Sequence, residues 1–299
     1  MLLDVASKTR ARAKSTSDVK GGPKARRRQK DDPAAFLPTT EADLAARGWL
    51  DRDEPLDILL ISGDAYVDHP AFGAPLIGRF LEARGYRVGL IAQPRWDNPE
   101  DVARLGRPRL YAGVTAGNLD SMLNKLTAQR MVRSEDAYSP GGRPNARPNR
   151  ATIVYANLLR QAFGADLPIV LGGIEASLRR IAHYDYWSDS VRRSILVDAK
   201  ADLLIFGMGE RPTWELADRL AAGEPLESIK DLRGSAHVLP KGAWEQLETS
   251  RYIPDGKPLL LPSYEEVAAD KRAFSRLSQL FQHETNPGNA RPLLQPHGD

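Results

Sequence analysis

Two carboxylates, Glu175 and Glu210, each follow a short apolar run that breaks into glycines: Gly172 and Gly173 before the first, Gly207 and Gly209 before the second. Acids brought to one edge of a fold can serve a ligand hydroxyl or amine as general acid and base if both come within hydrogen-bond reach. Surface carboxylates are the competing explanation. The densest ionisable and aromatic cluster lies just downstream of Glu175, in His183, Tyr184, Asp185, Tyr186, Trp187 and Asp189, followed by Arg192 and Arg193. Ring faces beside hydrogen-bonding groups suit a flat, polar ligand or an unstacked base. An amphipathic segment whose rings pack on a sheet edge would have the same composition. Asp64 and Tyr66, Gln93, and Asn118 follow three other apolar runs in the same way. The candidate ligand-binding set is therefore Asp64, Tyr66, Gln93, Asn118, Gly172, Gly173, Glu175, His183, Trp187, Gly207, Gly209 and Glu210. Its glycines allow a sharp turn or a close backbone approach where a Cβ would collide.

Several familiar patterns fail. There is no Gly-x4-Gly-Lys-Ser/Thr sequence, and Gly207-Met208-Gly209 lacks the third glycine of a dinucleotide loop. Asp68-His69-Pro-Ala-Phe-Gly73 approaches the Asp-x-His-x-x-Gly loop that supplies a histidine to cobalamin, but its Asp-to-His spacing is one residue short. No cobalt ligand is assigned, and His69 reads as a loop histidine with a hydrogen-bonded ring. The chain contains no cysteine. A disulfide, a thiolate zinc site, a catalytic thiol and a cysteine-held iron-sulfur cluster are all excluded from it, and no metal site is expected.

The elements that must position these residues alternate in kind. Apolar, β-favouring runs at 56–62, 87–92, 110–115, 168–171 and 201–206 read as five strands, the fourth continuously apolar as a strand covered on both faces should be. Helical spacing follows over 75–84, 98–105, from about 121, over 151–163 and after 210. A basic insertion with Tyr138-Ser-Pro-Gly-Gly142 occupies 130–150. Alternating strands and helices imply right-handed crossovers and a mainly parallel sheet between two helical layers. Ligands bind such sheets at the carboxyl ends of the strands. All the strand exits should therefore converge on one edge, with residues 183–187 rimming the same mouth. Past Ile229 the pattern changes to short β-like pieces such as 236–239, and Ser263-Tyr-Glu-Glu266 reads as a capping box opening a helix.

The 299 residues carry a net charge of +3, but ten Lys/Arg and only two acids lie in residues 1–30, so the remainder is net negative. A basic segment with few apolar residues cannot offset its ordering entropy. Residues 1–35 are expected to form a disordered tail, able to touch nucleic acid weakly through phosphates. With no apolar run near the roughly 20 residues that span a bilayer, and no apolar stretch of a secretory signal, the expected location is the cytoplasm, with no membrane partner.

Gly63-Asp-Ala-Tyr-Val-Asp-His-Pro70, Gly113-Val-Thr-Ala-Gly-Asn118, Tyr138-Ser-Pro-Gly-Gly142, Gly172-Gly-Ile-Glu-Ala-Ser177, His183-Tyr-Asp-Tyr-Trp-Ser188, Gly207-Met-Gly-Glu210 and Pro262-Ser-Tyr-Glu-Glu-Val-Ala-Ala-Asp270 occur in that order. Together they resemble the N-terminal half of the YgiQ-type radical SAM proteins, from about Phe36 to Asp299. The resemblance implies a three-layer, Rossmann-like, cobalamin-binding-like domain over 36–235, and a connector over 236–299 leading to a radical SAM barrel. That barrel would hold a [4Fe-4S] cluster through Cys-x3-Cys-x2-Cys and use S-adenosylmethionine. None of those cysteines is present here, so no cofactor is expected to be bound by this chain alone. The expectation is an accessory, substrate-recognising domain that does not catalyse by itself and has the downstream barrel and an unknown substrate as partners. The alternative is a self-contained ligand-binding or protein-interaction module.

Overall fold

The structure is a computed structural model that describes residues 36–50, 55–240, 243, 258–286 and 290–298. The expected tail and most of residues 241–257 in the expected connector lie outside the described residues.

In chain order the elements are α1 (Glu41–Ala46), β1 (Ile58–Ser62), α2 (Gly73–Glu82), β2 (Val88–Ala92), α3 (Glu100–Ala103), β3 (Tyr111–Thr115), α4 (Ser121–Lys125), α5 (Ala151–Phe163), β4 (Ile169–Gly172) and α6 (Gly173–Leu178). There follow β5 (His183–Asp185), β6 (Ser190–Arg192), α7 (Ile195–Asp198), β7 (Leu203–Ile205), α8 (Glu210–Ala221), β8 (Ser235–Ala236), β9 (Leu259–Leu260), α9 (Tyr264–Ala269), α10 (Lys271–His283) and β10 (Leu293–Leu294).

The main sheet runs β2-β1-β3-β4-β7-β8. Its first five members are the strands read from the sequence, and they pair in parallel, with Ile58 opposite both Val88 and Tyr111, Ala112 opposite Ile169 and Val170 opposite Leu203. A sixth strand, β8, overlaps the β-like piece read at 236–239 by one residue and joins the sheet, which the sequence reading did not expect. Ser235 and Ala236 pair antiparallel with Ile205 and Leu204, so the sheet extends into what the sequence pattern assigns to a connector. Two residues are too few to show an alternation that could be read as a strand.

Alternation along each strand sends side chains to two layers. Leu59, Ile61, Ala112, Val114, Ile169 and Leu171 pack with Val102 of α3, Tyr155 and Leu159 of α5, and Ile195 of α7. Ile58, Leu60, Leu90, Tyr111, Val170 and Ile205 pack on the other face with Leu81 of α2 and Leu216 of α8. Every residue of β1 is buried, as double coverage requires. Each such Leu or Ile contributes roughly 1.5–3 kcal/mol of burial. A third, smaller core joins Ala182 to Leu261, Val267 and Leu277 from the C-terminal segment. There β9 and β10 pair in parallel, and Gln295 accepts the Ala182 N–H at 2.7 Å.

The segment after β4 differs from its sequence reading. Instead of one ligand loop it forms the short helix α6 and then the antiparallel β5–β6 hairpin, with His183 opposite Arg192. Gly173, at φ 79°, makes the sharp entry into α6 possible. α5 opens without a side-chain cap of its own at Arg150; its first N–H groups are capped from elsewhere in the fold.

Candidate functional site

The strand order reverses between β1 and β3: the chain goes first to β2 on one side and then to β3, β4 and β7 on the other. At the carboxyl ends there, β1, β3, β4 and β7 with α2 and α8 enclose a cavity of about 360 Å³. This is the size range of small-ligand pockets and the place where open parallel sheets bind them. Leu60, Tyr111, Val170 and Ile205 supply the sheet wall, and Phe72, Leu76 and Ile77 the helical wall. Ile174 and Met208 stand at the lip. The hollow depends on missing side chains. A Cβ at Gly172 would find only the Ile205 carbonyl, 3.9 Å away, and one at Gly207 nothing within 4 Å.

The cavity gathers Asp64, Tyr66, Asn118, Gly172, Gly173, Gly207, Gly209 and Glu210 from the candidate set, but not Gln93, Glu175, His183 or Trp187. Asp64 is buried, ion-paired at 2.8 Å with Arg147, and accepts the Asn118 N–H at 2.6 Å. Burial pushes its carboxyl up, against the pull of that N–H and of Arg147. The Tyr66 hydroxyl accepts the Leu37 N–H at 2.8 Å. Asn118 donates through its side chain to the Ala71 carbonyl at 3.2 Å. Glu210 opens α8, and none of the described residues engages its carboxylate in a hydrogen bond or ion pair.

Glu175 and Glu210 do not form an acid-base pair. Glu175 is 1% exposed, and its oxygens accept the Ser121 N–H at 2.8 Å, the Thr152 N–H at 3.1 Å and the Ser121 hydroxyl. Ser121 in turn accepts the Ala151 N–H at 3.0 Å. The acid thus caps α4 and α5, the latter in the layer opposite α8. The helix ends have unpaired N–H groups that only a buried acceptor can satisfy.

The 183–187 segment does not rim the mouth either. His183 is held in the hairpin by a 3.1 Å contact between Nδ1 and the Ile181 carbonyl, and burial pushes its pKa down to about 4. Trp187 meets Tyr186 edge-on at 5.3 Å, while Arg130 lies over the Tyr186 ring and donates to the Tyr186 carbonyl at 3.0 Å. Asp185 is buried against Arg150. The cluster is thus a hairpin outside the cavity lining, with Asp185 buried and the Tyr184 and Tyr186 rings half exposed. Gln93 is likewise a brace, donating to the Gly63 carbonyl at 3.2 Å and to Ser139 at 2.6 Å.

The residue that sequence reasoning missed is Arg147. It is 1% exposed, bonds Asp64 and the Ala116 carbonyl through Nη1, and reaches Asp136 at 3.2 Å through Nη2. One arginine therefore ties the basic insertion to the exits of β1 and β3. Ala65 N–H adds a bond to the Tyr138 carbonyl at 2.8 Å, and Phe72 packs edge-on against Tyr138 at 6.1 Å. Nothing in Asn145-Ala-Arg147-Pro148 distinguishes this arginine from an exposed one. The apolar wall of α2 was also missed, since Leu76 and Ile77 have the spacing of ordinary core residues.

The implied cofactors can be tested against these side chains. An iron-sulfur cluster needs thiolates, and the chain has none; the residues do not fit it. A histidine-ligated cobalamin does not fit either. No histidine lines the cavity, and the Nδ1 of His69 accepts the Ala71 N–H at 3.1 Å. No cluster of three His, Asp or Glu side chains suited to a metal occurs among the described residues.

The sequence model of the Radical SAM N-terminal family matches residues 36–299. UPF0313 protein RPA0679 of Rhodopseudomonas palustris is 52% identical over 277 residues, covering 89% of this chain and 40% of that protein. UPF0313 protein GSU2873 of Geobacter sulfurreducens is 53% identical, with 89% and 42% covered. UPF0313 protein YgiQ of Escherichia coli K12 is 46% identical, again with 89% and 42% covered. The chain thus spans about two-fifths of the length of the curated relatives it matches. Among solved structures, the radical S-adenosylmethionine methyltransferase TsrM from Kitasatospora setae, with cobalamin and a [4Fe-4S] cluster bound, is 16% identical with a TM-score of 0.41. It covers 69% of this chain and 39% of its own. At that level of likeness no feature of TsrM is carried over.

Proposed function

This chain belongs to the Radical SAM N-terminal family, and from that premise we propose that it is the accessory domain of a radical SAM enzyme, holding a small ligand at the carboxyl edge of its parallel sheet. In this reading the sheet and its two helical layers are the Rossmann-like, cobalamin-binding-like part. It runs through β8 rather than ending at residue 235, because β8 completes the sheet. The remaining residues to 299 connect to a radical SAM domain that supplies the [4Fe-4S] cluster and binds S-adenosylmethionine. With no thiolate of its own, the chain recognises rather than reacts. It works in the cytoplasm, and its basic residues 1–35 make at most weak phosphate contacts. Among the described residues no helix is long and apolar enough to cross a membrane.

The observation that carries this reading is the cavity of about 360 Å³ at the strand switch, kept open by glycines. Gly172 has extended backbone and a Cβ there meets nothing closer than the Ile205 carbonyl at 3.9 Å, so the position accepts a side chain at the cavity wall. Screening the purified chain with a small-fragment library by saturation-transfer NMR should give hits that Gly172→Leu loses at an unchanged melting temperature. Hits that persist in that variant would place the ligand elsewhere and sink the reading.

A self-contained binding module is the second reading. It is favoured by the way the C-terminal segment closes on the body, with Arg180 held between Phe206 at 4.6 Å and Phe281 at 4.5 Å. A monodisperse 299-residue product that binds its natural ligand with no other polypeptide present would support it.

A further inference from the structure

We propose that the mouth selects by charge: it takes an apolar molecule carrying an amine or similar cationic donor, which pairs with Glu210, and it rejects phosphates and other anions. This rests on the reading of the cavity as a ligand site. No Lys, Arg or His contributes to its lining. The two charged groups that do are Asp64 and Glu210, and they differ in what surrounds them. Asp64 is already compensated by Arg147 and the Asn118 N–H. No described residue pairs with or hydrogen-bonds the Glu210 carboxylate, which the start of α8 offsets only in part, and it sits beside apolar walls.

An anion entering this space would lose water and meet no cationic side chain, and the uncapped start of α2 is the one backbone end without an acid to receive it. Glycine-rich strand exits often cradle phosphates on the N–H groups of the following helix. Here the first turn of α8 already carries the acid Glu210, which answers the positive end of the helix dipole. Arg79 is paired with Asp68 and Glu82, and the Arg211 side chain is exposed to solvent outside the lining. The apolar walls accept a hydrocarbon or aromatic body, and the remaining negative charge selects its head group.

A matched series tests this on the 299-residue chain: 4-phenylbutylamine, 4-phenylbutanol and 4-phenylbutyrate at pH 7.5, with dissociation constants from ligand-observed NMR. The amine should bind about five-fold tighter than the alcohol and the carboxylate more weakly than either, as a partly screened ion pair allows. Glu210→Gln should bring the amine down to the alcohol and leave the alcohol unchanged. Gly172→Leu, and independently Ile174→Trp at the exposed lip, should weaken all three. A carboxylate that binds as tightly as the amine, an amine preference that survives Glu210→Gln, or no amine binding at all overturns the charge inference. If both cavity-filling variants bind the amine and the alcohol like the wild type, the cavity is not the site, and the reading of the mouth falls with it.

Discussion

Glu175 shows how far a residue's chemistry depends on what accepts its oxygens. Three donors from the starts of α4 and α5 converge on it, so the acid serves folding. Glu175→Ala would leave the Ser121 and Thr152 N–H groups buried without acceptors, at about 1–3 kcal/mol each. Urea denaturation should show a loss of about 2–6 kcal/mol. Amine binding by the folded fraction should be unchanged, since Glu175 does not line the cavity. This is the opposite of what a ligand-contacting acid at a strand exit would show. A variant with wild-type stability and impaired binding would return Glu175 to the candidate ligand-binding set.

At the scale of elements, the β5–β6 hairpin makes the fold sensitive to acid. His183 has a native pKa pushed down to about 4 by burial, against about 6.5 when unfolded. Between those values the unfolded chain binds the proton and the native chain does not. The stabilisation is therefore fully present above about pH 6.5 and is lost as pH falls toward 4. At pH 5 the loss is about 1–2 kcal/mol for this residue. His237, also pushed down to about 4 by burial, adds to it with the same sign. Comparing denaturation midpoints at pH 7 and pH 5 should show a smaller drop in His183→Gln than in the wild type. An equal drop in both proteins would mean that the ring is solvated in the hairpin.

For the whole molecule, the decisive composition is the absence of cysteine across all 299 residues. Anaerobic reconstitution of this chain with iron and sulfide should yield no visible charge-transfer absorption of a cysteine-held cluster and no cleavage of S-adenosylmethionine. Formation of a stoichiometric cluster would contradict the proposed division of labour. A truncation lacking residues 1–30 should melt within about a degree of the full chain, since a stretch with so few apolar residues has little to bury. A large fall in melting temperature would show that it packs.

Periodicity alone located five strands and the helices that follow four of them, but not α6 and α7 between β4 and β7. The reason is local: a doubly covered parallel strand must be apolar throughout, and its covering helix must be apolar on one face. Those runs also fixed that the exits of Asp64, Asn118, Gly172 and Gly207 share one edge, because parallel strands end on the same side. What only the tertiary structure decided is which exit residues face the hollow and which brace it. Glu175 and Glu210 stand in equivalent sequence settings, yet one is taken up by Ser121 and Thr152 and the other is left facing the cavity. Arg147 reaches Asp64 from 83 positions away, a contact with no local signature. The His183 to Trp187 cluster lies outside the cavity lining, after a six-residue helix that an apolar count does not reveal. For Glu175 and Arg147 the deciding partner is distant in the chain, and the balance between desolvation and an acceptor found across the fold is settled only when the layers close.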